Sequence, residues 1–101
     1  MTRYARRVDL SQNEIATTLQ RLGFAVRDLS RLGSGAPDLV TSWDGHTALV
    51  ECKTPKHHDT KRQAENQRKW REGWEGEVVV LKTADEALAW ALNRKRATCR
   101  A

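Results

Sequence analysis

The chain has 101 residues, of which 39% are hydrophobic and 31% are charged, and it carries a formal net charge of +5. This length favours one domain with a single modest core, and no apolar run approaches the roughly 18–20 residues that cross a bilayer. Two cysteines do not make a disulfide framework, and no apolar leader is visible. These features exclude membrane-spanning and disulfide-rich secreted classes, and we expect a cytoplasmic protein.

The positive charge is unevenly distributed along the chain. No Lys or Arg lies between Leu32 and Cys52, where the charged residues are Asp38, Asp44 and Glu51. Basic residues are frequent on both sides of this acidic centre, so a polyanion would be drawn towards it. The pattern suits a metal-holding site that receives a polyanion, although an ordinary basic surface would have the same composition.

The first part of the chain predicts a basic arm, a helix and a strand. We expect residues 1–9 to form a flexible arm. Ser11 followed by Glu14 is a capping-box pattern, which places the N-cap of the first helix at Ser11, and Gly23 ends that helix. Alternating apolar residues then predict a first strand over 24–29.

Asp44 and Gly45 predict the tight turn of a hairpin, because they lie between two apolar, β-branched runs. If these two residues form the centre of a two-residue turn, Val40 faces Leu49 and the register of both strands follows. Apolar residues lie on both faces of the two strands, so we expect the sheet to be covered on both sides.

The same register places Asp38 opposite Glu51. Opposed residues of an antiparallel pair project from one face, with Cβ atoms roughly 4.5–5.5 Å apart, and Lys53, two residues beyond Glu51, shares that face. Two carboxylates this close repel each other unless a cation lies between them. Lys53 or a divalent metal would supply that cation; a solvated surface salt bridge is the alternative interpretation.

The second half of the chain predicts a crossover helix, a fourth strand and a last helix. Residues 61–73 form a polar helical segment and residues 77–81 a short apolar strand. Thr83 begins a second capping box, and residues 94–101 are expected to form a flexible basic tail. The order α-β-β-β-α-β-α predicts an α/β fold with a mixed four-stranded sheet flanked by helices.

Two groups of residues resemble known nuclease motifs. Pro37-Asp38 with Glu51-Cys52-Lys53 resembles the signature of the PD-(D/E)XK nuclease superfamily. Within it, Gly35-Ala36-Pro37-Asp38-Leu39, Gln67-Arg68-Lys69-Trp70 and Trp74-Glu75-Gly76 are similar to the VRR-NUC group, which includes small phage-type nucleases.

A looser similarity links the chain to archaeal-type Holliday junction resolvases, through Glu14 and Arg31-Leu32-Gly33-Ser34-Gly35. The resemblance covers residues 11–92 and implies a single nuclease domain over residues 1–101. It also implies a restriction-endonuclease-like αβββαβ core, here followed by a C-terminal helix.

The resemblance implies a role for each residue of the acidic cluster. Asp38 and Glu51 would bind a divalent ion, usually Mg²⁺ with Mn²⁺ able to substitute, and the backbone carbonyl of Cys52 would be a third oxygen ligand. Lys53 would orient or help to deprotonate the attacking water. Oxygen ligands with several retained waters suit Mg²⁺ or Mn²⁺ better than Zn²⁺.

Two helical residues complete the site that the resemblance implies. Glu14 would reach it from the first helix as a further catalytic residue and metal ligand, often through water, and Gln67 would reach it from the second. Glu14 has an alternative explanation as a helix-capping residue alone.

The sequence therefore predicts a metal-dependent DNA endonuclease, acting on branched or double-stranded DNA such as flaps or junctions. A dimeric Holliday junction resolvase and a non-catalytic basic DNA-binding module are the alternatives. Four tryptophans in so small a chain favour a homodimer, and neither a membrane nor a small-molecule cofactor is expected. Basic and polar residues expected to contact DNA are Arg31, Ser34, Lys56, His57, His58, Lys61, Arg62, Arg68 and Lys69.

Overall fold

The computed structural model describes the backbone of residues 3–54 and 58–99, and the side chains of residues 12–54 and 58–97. The predicted order of helices and strands is confirmed, with one short 3-10 helix added at Ser30–Leu32. The elements are α1 (Arg3–Arg21), β1 (Ala25–Asp28), β2 (Leu39–Trp43), β3 (His46–Cys52), α2 (Lys61–Arg71), β4 (Glu77–Leu81) and α3 (Ala84–Cys99).

The four strands form one mixed sheet in the order β1-β2-β3-β4. β1 is antiparallel to β2 and β2 is antiparallel to β3, whereas β4 is parallel to β3. Parallel neighbours need a crossover connection, and α2 lies in that connection. The predicted mixed four-stranded sheet is therefore confirmed.

The hairpin between β2 and β3 has the predicted register. Val40 pairs with Leu49, as the position of the turn requires. Asp44 and Gly45 have φ values of 52° and 80°, and positive φ at both central residues is what a type I′ turn needs. Asp-Gly thus sets which residues of the two strands lie opposite each other.

The apolar core lies on one face of the sheet, against α1 and α3. Ile15 and Leu19 of α1 are fully buried, as is Val50 at the centre of β3. The other buried members of this cluster are Phe24, Val26, Leu39, Leu81, Ala87 and Ala91. Burial of these side chains contributes most of the stabilising free energy, at roughly 25 cal/mol per Å² of apolar surface.

The tryptophans divide between this core and the exterior. Trp43 and Trp90 pack against the ring of Phe24, with centroid distances of 5.9 and 5.6 Å. Trp70 and Trp74 pack against each other at 5.3 Å, and Trp74 is 47% exposed. No helix among the described residues combines the length and the apolar character that a membrane span requires.

Both terminal helices are longer than the sequence predicted. α1 begins at Arg3, so residues 3–9 belong to a helix rather than to an irregular arm, and Ser11 is not an N-cap. The segment before Ser11 contains no Gly or Pro, and a capping-box pattern does not interrupt a helix that began earlier. At the other end, α3 continues to Cys99, so the predicted tail over 94–101 is wrong for residues 94–99. Residues 1, 2, 100 and 101 lie outside the described part of the chain.

A capping box that the sequence reading missed begins α2 at Thr60. Thr60 Oγ1 accepts from the backbone N–H of Gln63 at 3.1 Å, and Gln63 Oε1 accepts from the N–H of Thr60 at 2.9 Å. This reciprocal pair satisfies two backbone donors that the first turn of a helix would otherwise leave unpaired.

Candidate active site

The hairpin register brings Asp38 next to β3. Its backbone N–H donates to the carbonyl of Val50 at 3.1 Å, just beyond the last paired residue of β2. Its Oδ2 accepts from the backbone N–H of Cys52 at 2.7 Å. Burial raises the pKa of Asp38, although the Cys52 N–H and the charge of Lys53 oppose that shift. One oxygen of this carboxylate is held by β3, and the other, Oδ1, can take a cation.

Glu51 is a buried carboxyl group on β3, with only 6% of its surface exposed. Burial first, and then the neighbouring Asp38, raise the pKa of Glu51 to about 7, while Lys53 and Arg71 lower it. Its Oε1 is buried and has no hydrogen-bond partner among the described residues. A buried carboxylate oxygen without a donor is costly, so this atom has the character of a cation ligand.

Lys53 lies beside both carboxylate-bearing strands. Its Nζ is 3.6 Å from Glu51 Oε2, 2.7 Å from Asp59 Oδ2 and 3.4 Å from Gln67 Oε1. Asp38, Glu51, Lys53 and Gln67, which were identified from the sequence, are therefore brought together here. Asp59 was not identified, because nothing in the sequence indicates that residue 59 returns to Lys53.

An open recess of about 330 Å³ lies over the two carboxylates. Asp38 and Glu51 line it together with residues 33–36 on one side and the first two turns of α2, including Gln67, on the other. A cation at the carboxylates would therefore be reachable from solvent.

Gly35 lets the two walls of this recess approach each other closely. Its φ is +88°, and a Cβ at this position would lie 2.3 Å from the carbonyl oxygen of Asn66 and 2.7 Å from the backbone nitrogen of Gln67. Both obstacles are backbone atoms of α2, so they cannot turn aside as a flexible side chain would. Gly35 is needed here for backbone conformation and for space.

Glu14 is not brought to the recess. Its side chain is exposed and lines a separate surface depression with Arg21 and Ala84. The face of α1 that packs on the sheet carries Gln12, Ile15 and Leu19, and Glu14 is rotated about 200° from Gln12 around the helix. The expectation that Glu14 reaches the site as a metal ligand is therefore not met in this structure.

Gln12 is a described residue of α1 whose side chain reaches Asp28 at the end of β1, close to Asp38. It is 9% exposed, and its Nε2 donates to Asp28 Oδ2 at 3.1 Å. The Asp28 charge in turn raises the pKa of Asp38. Helical periodicity was the signal that could have found Gln12, because it precedes Ile15 and Leu19 by three and seven residues.

The residues expected to contact DNA lie around the recess or on the exposed side of α2. Ser34 lines the recess, and Arg31 is exposed on the 3-10 helix that precedes it. Five of these residues have exposed side chains at the start or along the outside of α2: His58, Lys61, Arg62, Arg68 and Lys69. Arg68 is paired with Glu65 at 2.6 Å. Lys56 and His57 lie outside the described residues.

The donor set at the recess fits a hard divalent cation. Within residues 12–54 and 58–97, no three His, Cys, Asp or Glu side chains converge as a complete metal site. Two carboxylates supplemented by backbone carbonyl and water are typical of Mg²⁺, and the orphaned Oε1 of Glu51 fits that arrangement. The thiol of Cys52 is unsuited to a metal, because burial raises its pKa to about 12 and the side chain packs against the core.

The fold and the site can be compared with known proteins. No family model matches the sequence, and no curated protein matches it. The chain is similar to a solved structure described as a VRR_NUC domain, with a TM-score of 0.59 and 25% sequence identity. The likeness covers 79% of this chain and 88% of that chain.

Proposed function

The chain has a VRR-NUC nuclease-type fold, and from this premise we propose that it is a Mg²⁺-dependent DNA endonuclease whose active site is the recess over Asp38 and Glu51. The predicted restriction-endonuclease-like αβββαβ core is confirmed. The observation that carries the proposal is the meeting of two carboxylates in an open recess. Among the described residues, the buried Oε1 of Glu51 has no hydrogen-bond partner, and the Lys53 ammonium lies 3.6 Å from the other oxygen, Oε2.

Each residue of the site has a chemical task in this proposal. Asp38 Oδ1 and Glu51 Oε1 would hold the cation, together with the backbone carbonyl of Cys52. A bound Mg²⁺ would lower the pKa of a water molecule and neutralise charge on the phosphate. Lys53 would orient that water and stabilise negative charge on the phosphate as it develops. Gln67 would hold the ammonium of Lys53 from α2.

The charge distribution supports DNA as the substrate. The chain carries a net charge of +5, and exposed basic residues lie along α2 beside the recess. Contacts of this kind bind the phosphate backbone without reading sequence, and their strength falls as salt rises. This is consistent with selection of DNA by its shape, and we propose flaps or junctions as the preferred substrates.

A homodimer is part of this proposal. Leu88 and Leu92 lie one turn apart on α3 and are 41% and 44% exposed, and an exposed apolar pair of this kind suits a surface that another chain covers. A dimer would present two sites to one DNA molecule. Paired cuts across a four-way junction would then distinguish a Holliday junction resolvase from a flap nuclease.

The test uses supercoiled, linear, single-stranded, flap and four-way-junction DNA with Mg²⁺, Mn²⁺ or EDTA. We expect metal-dependent cleavage that Asp38→Asn and Glu51→Gln each reduce by about 10³-fold or more, because each removes a charged metal ligand. DNA binding by both variants should remain salt-sensitive and within about threefold of wild type. Cleavage that survives both substitutions would refute this assignment, and binding without any metal-dependent cleavage would favour the non-catalytic module.

A further inference from the structure

We propose that Asp59 is the positioning residue for Lys53, an inference that rests on the nuclease activity proposed above. Asp59 Oδ2 lies 2.7 Å from Lys53 Nζ, closer than Glu51 Oε2 at 3.6 Å. The two side chains are 18% and 19% exposed. The pair is therefore shielded from water and salt more than an ordinary surface ion pair.

The contacts of Lys53 indicate what Asp59 does. An ammonium group has three N–H donors. Asp59 and Gln67 accept two of them, at 2.7 and 3.4 Å, and Glu51 at 3.6 Å is beyond hydrogen-bond distance. One donor is left for the side of Glu51, where a phosphate held at the carboxylates would lie. A lysine side chain is flexible, so such an orientation requires firm acceptors on its other side.

Both of these acceptors belong to the same structural unit. Asp59 directly precedes Thr60, the N-cap of α2, and the reciprocal Thr60–Gln63 hydrogen bonds hold the backbone at that point. Gln67 lies on the second turn of the same helix. At Asn66 and Gln67, α2 is also in close contact with the backbone of Gly35. The position of α2 therefore determines where its two acceptors, Asp59 and Gln67, hold the Lys53 ammonium.

The matched test compares Asp59→Ala and Asp59→Asn with Glu75→Ala, which removes the same charge from an exposed residue. We expect Asp59→Ala to lower kcat for DNA cleavage about 10- to 100-fold, since a misplaced catalytic group costs that much, with KM within about threefold of wild type. Asp59→Asn should keep more activity, because its amide oxygen still accepts from Lys53. The kcat and KM of Glu75→Ala should match those of the wild type.

A double-variant experiment asks whether Asp59 acts through Lys53. In a Lys53→Met background, Asp59→Ala should have no further effect on kcat, because its target is gone. An equal fractional loss of kcat in both backgrounds would refute the positioning role, as would a kcat for Asp59→Ala equal to that of Glu75→Ala.

A readout that does not depend on activity keeps the two proposals separate. In nitrogen-15-labelled, metal-free protein, an ammonium held by two acceptors should give a slowly exchanging Lys53 signal, assigned by its loss in Lys53→Met. Asp59→Ala should abolish that signal, and Glu75→Ala should preserve it. A signal unchanged by Asp59→Ala would overturn the inference even if the wild type cleaves DNA, whereas a wild type that never cleaves refutes the proposed function.

Discussion

The two faces of the sheet differ in what holds them together. On the face covered by α1 and α3, fully buried side chains such as Ile15, Leu19 and Val50 form a continuous apolar core. On the other face, α2 buries none of its described side chains and is attached near the site by the close approach at Gly35 and by polar contacts to Lys53. The first face therefore supplies stability, and the second tolerates an electrostatically costly carboxylate pair, in which Glu51 is buried and Asp38 is half-buried.

The largest expected effect tests the stabilising face. Leu19→Ala should lower the free energy of unfolding by about 3–4 kcal/mol, because a fully buried leucine leaves a cavity when truncated. Leu32→Ala is the matched control, since Leu32 is 63% exposed and should change stability by less than about 0.5 kcal/mol. Urea denaturation measures the free energy of unfolding of both variants. Equal losses would show that Leu19 does not lie in the apolar core.

The next prediction tests the cost of the carboxylate pair. Because the pKa of Glu51 is raised to about 7 in the folded protein, the folded state binds its proton more tightly than the unfolded state does. This contribution to stability is fully present below the ordinary glutamate pKa and is lost as the pH rises through 7. Between pH 4 and pH 8, the free energy of unfolding of the metal-free wild type should therefore fall by on the order of 3 kcal/mol relative to that of Glu51→Gln.

Thermal unfolding of wild type and Glu51→Gln across this pH range measures the difference. At pH 8, Glu51→Gln should be the more stable protein, and Mg²⁺ should raise the Tm of the wild type more than that of the variant. If Tm changed with pH in the same way for both proteins, Glu51 would not be desolvated as described.

The contact between Gly35 and α2 should give an intermediate effect. Gly35→Ala introduces a methyl group 2.3 Å from the Asn66 carbonyl oxygen at a φ of +88°, so the loop and the helix must move apart. We expect a stability loss of about 2 kcal/mol and a larger proportional loss of cleavage, because Gln67 moves with the helix. Gly73→Ala is the control for backbone strain, since Gly73 lies outside the recess, has a φ of +78° and has no atom within 4 Å of an added Cβ. Equal effects of the two substitutions would contradict this interpretation of Gly35.

The smallest effect is expected at the cap of α2. Thr60→Ala removes the side-chain acceptor for the Gln63 N–H and should cost about 1 kcal/mol. Thr60→Ser should restore most of this, because serine keeps the hydroxyl. Urea denaturation checks both variants, and a Thr60→Ser variant as unstable as Thr60→Ala would show that the hydroxyl is not what matters.

Much of the fold was predictable because its signals are local. Asp44-Gly45 specifies a turn, the turn specifies a register, and the register places Asp38 beside Glu51. The Thr60–Gln63 capping box was equally readable from the sequence but was overlooked. These features depend on neighbours only a few residues away.

The errors arose where tertiary packing decides. The resemblance implies that Glu14 reaches the site, but the helical periodicity of α1 turns Glu14 away from the buried face that carries Gln12, Ile15 and Leu19. The approach of Gly35 to Asn66 and the return of Asp59 to Lys53 join residues that no local pattern connects. Helix packing and loop closure determine both contacts.

The position of the hairpin turn has a practical consequence. Asp44 is six residues along the strand from Asp38, which corresponds to about 20 Å, and an atom added at Gly45 meets nothing within 4 Å. A fluorophore attached through His46→Cys, an exposed position directly after the turn, would therefore lie far from the carboxylates and leave Asp44-Gly45 intact. This tip is a suitable anchoring point for immobilising the protein while its recess stays open to DNA.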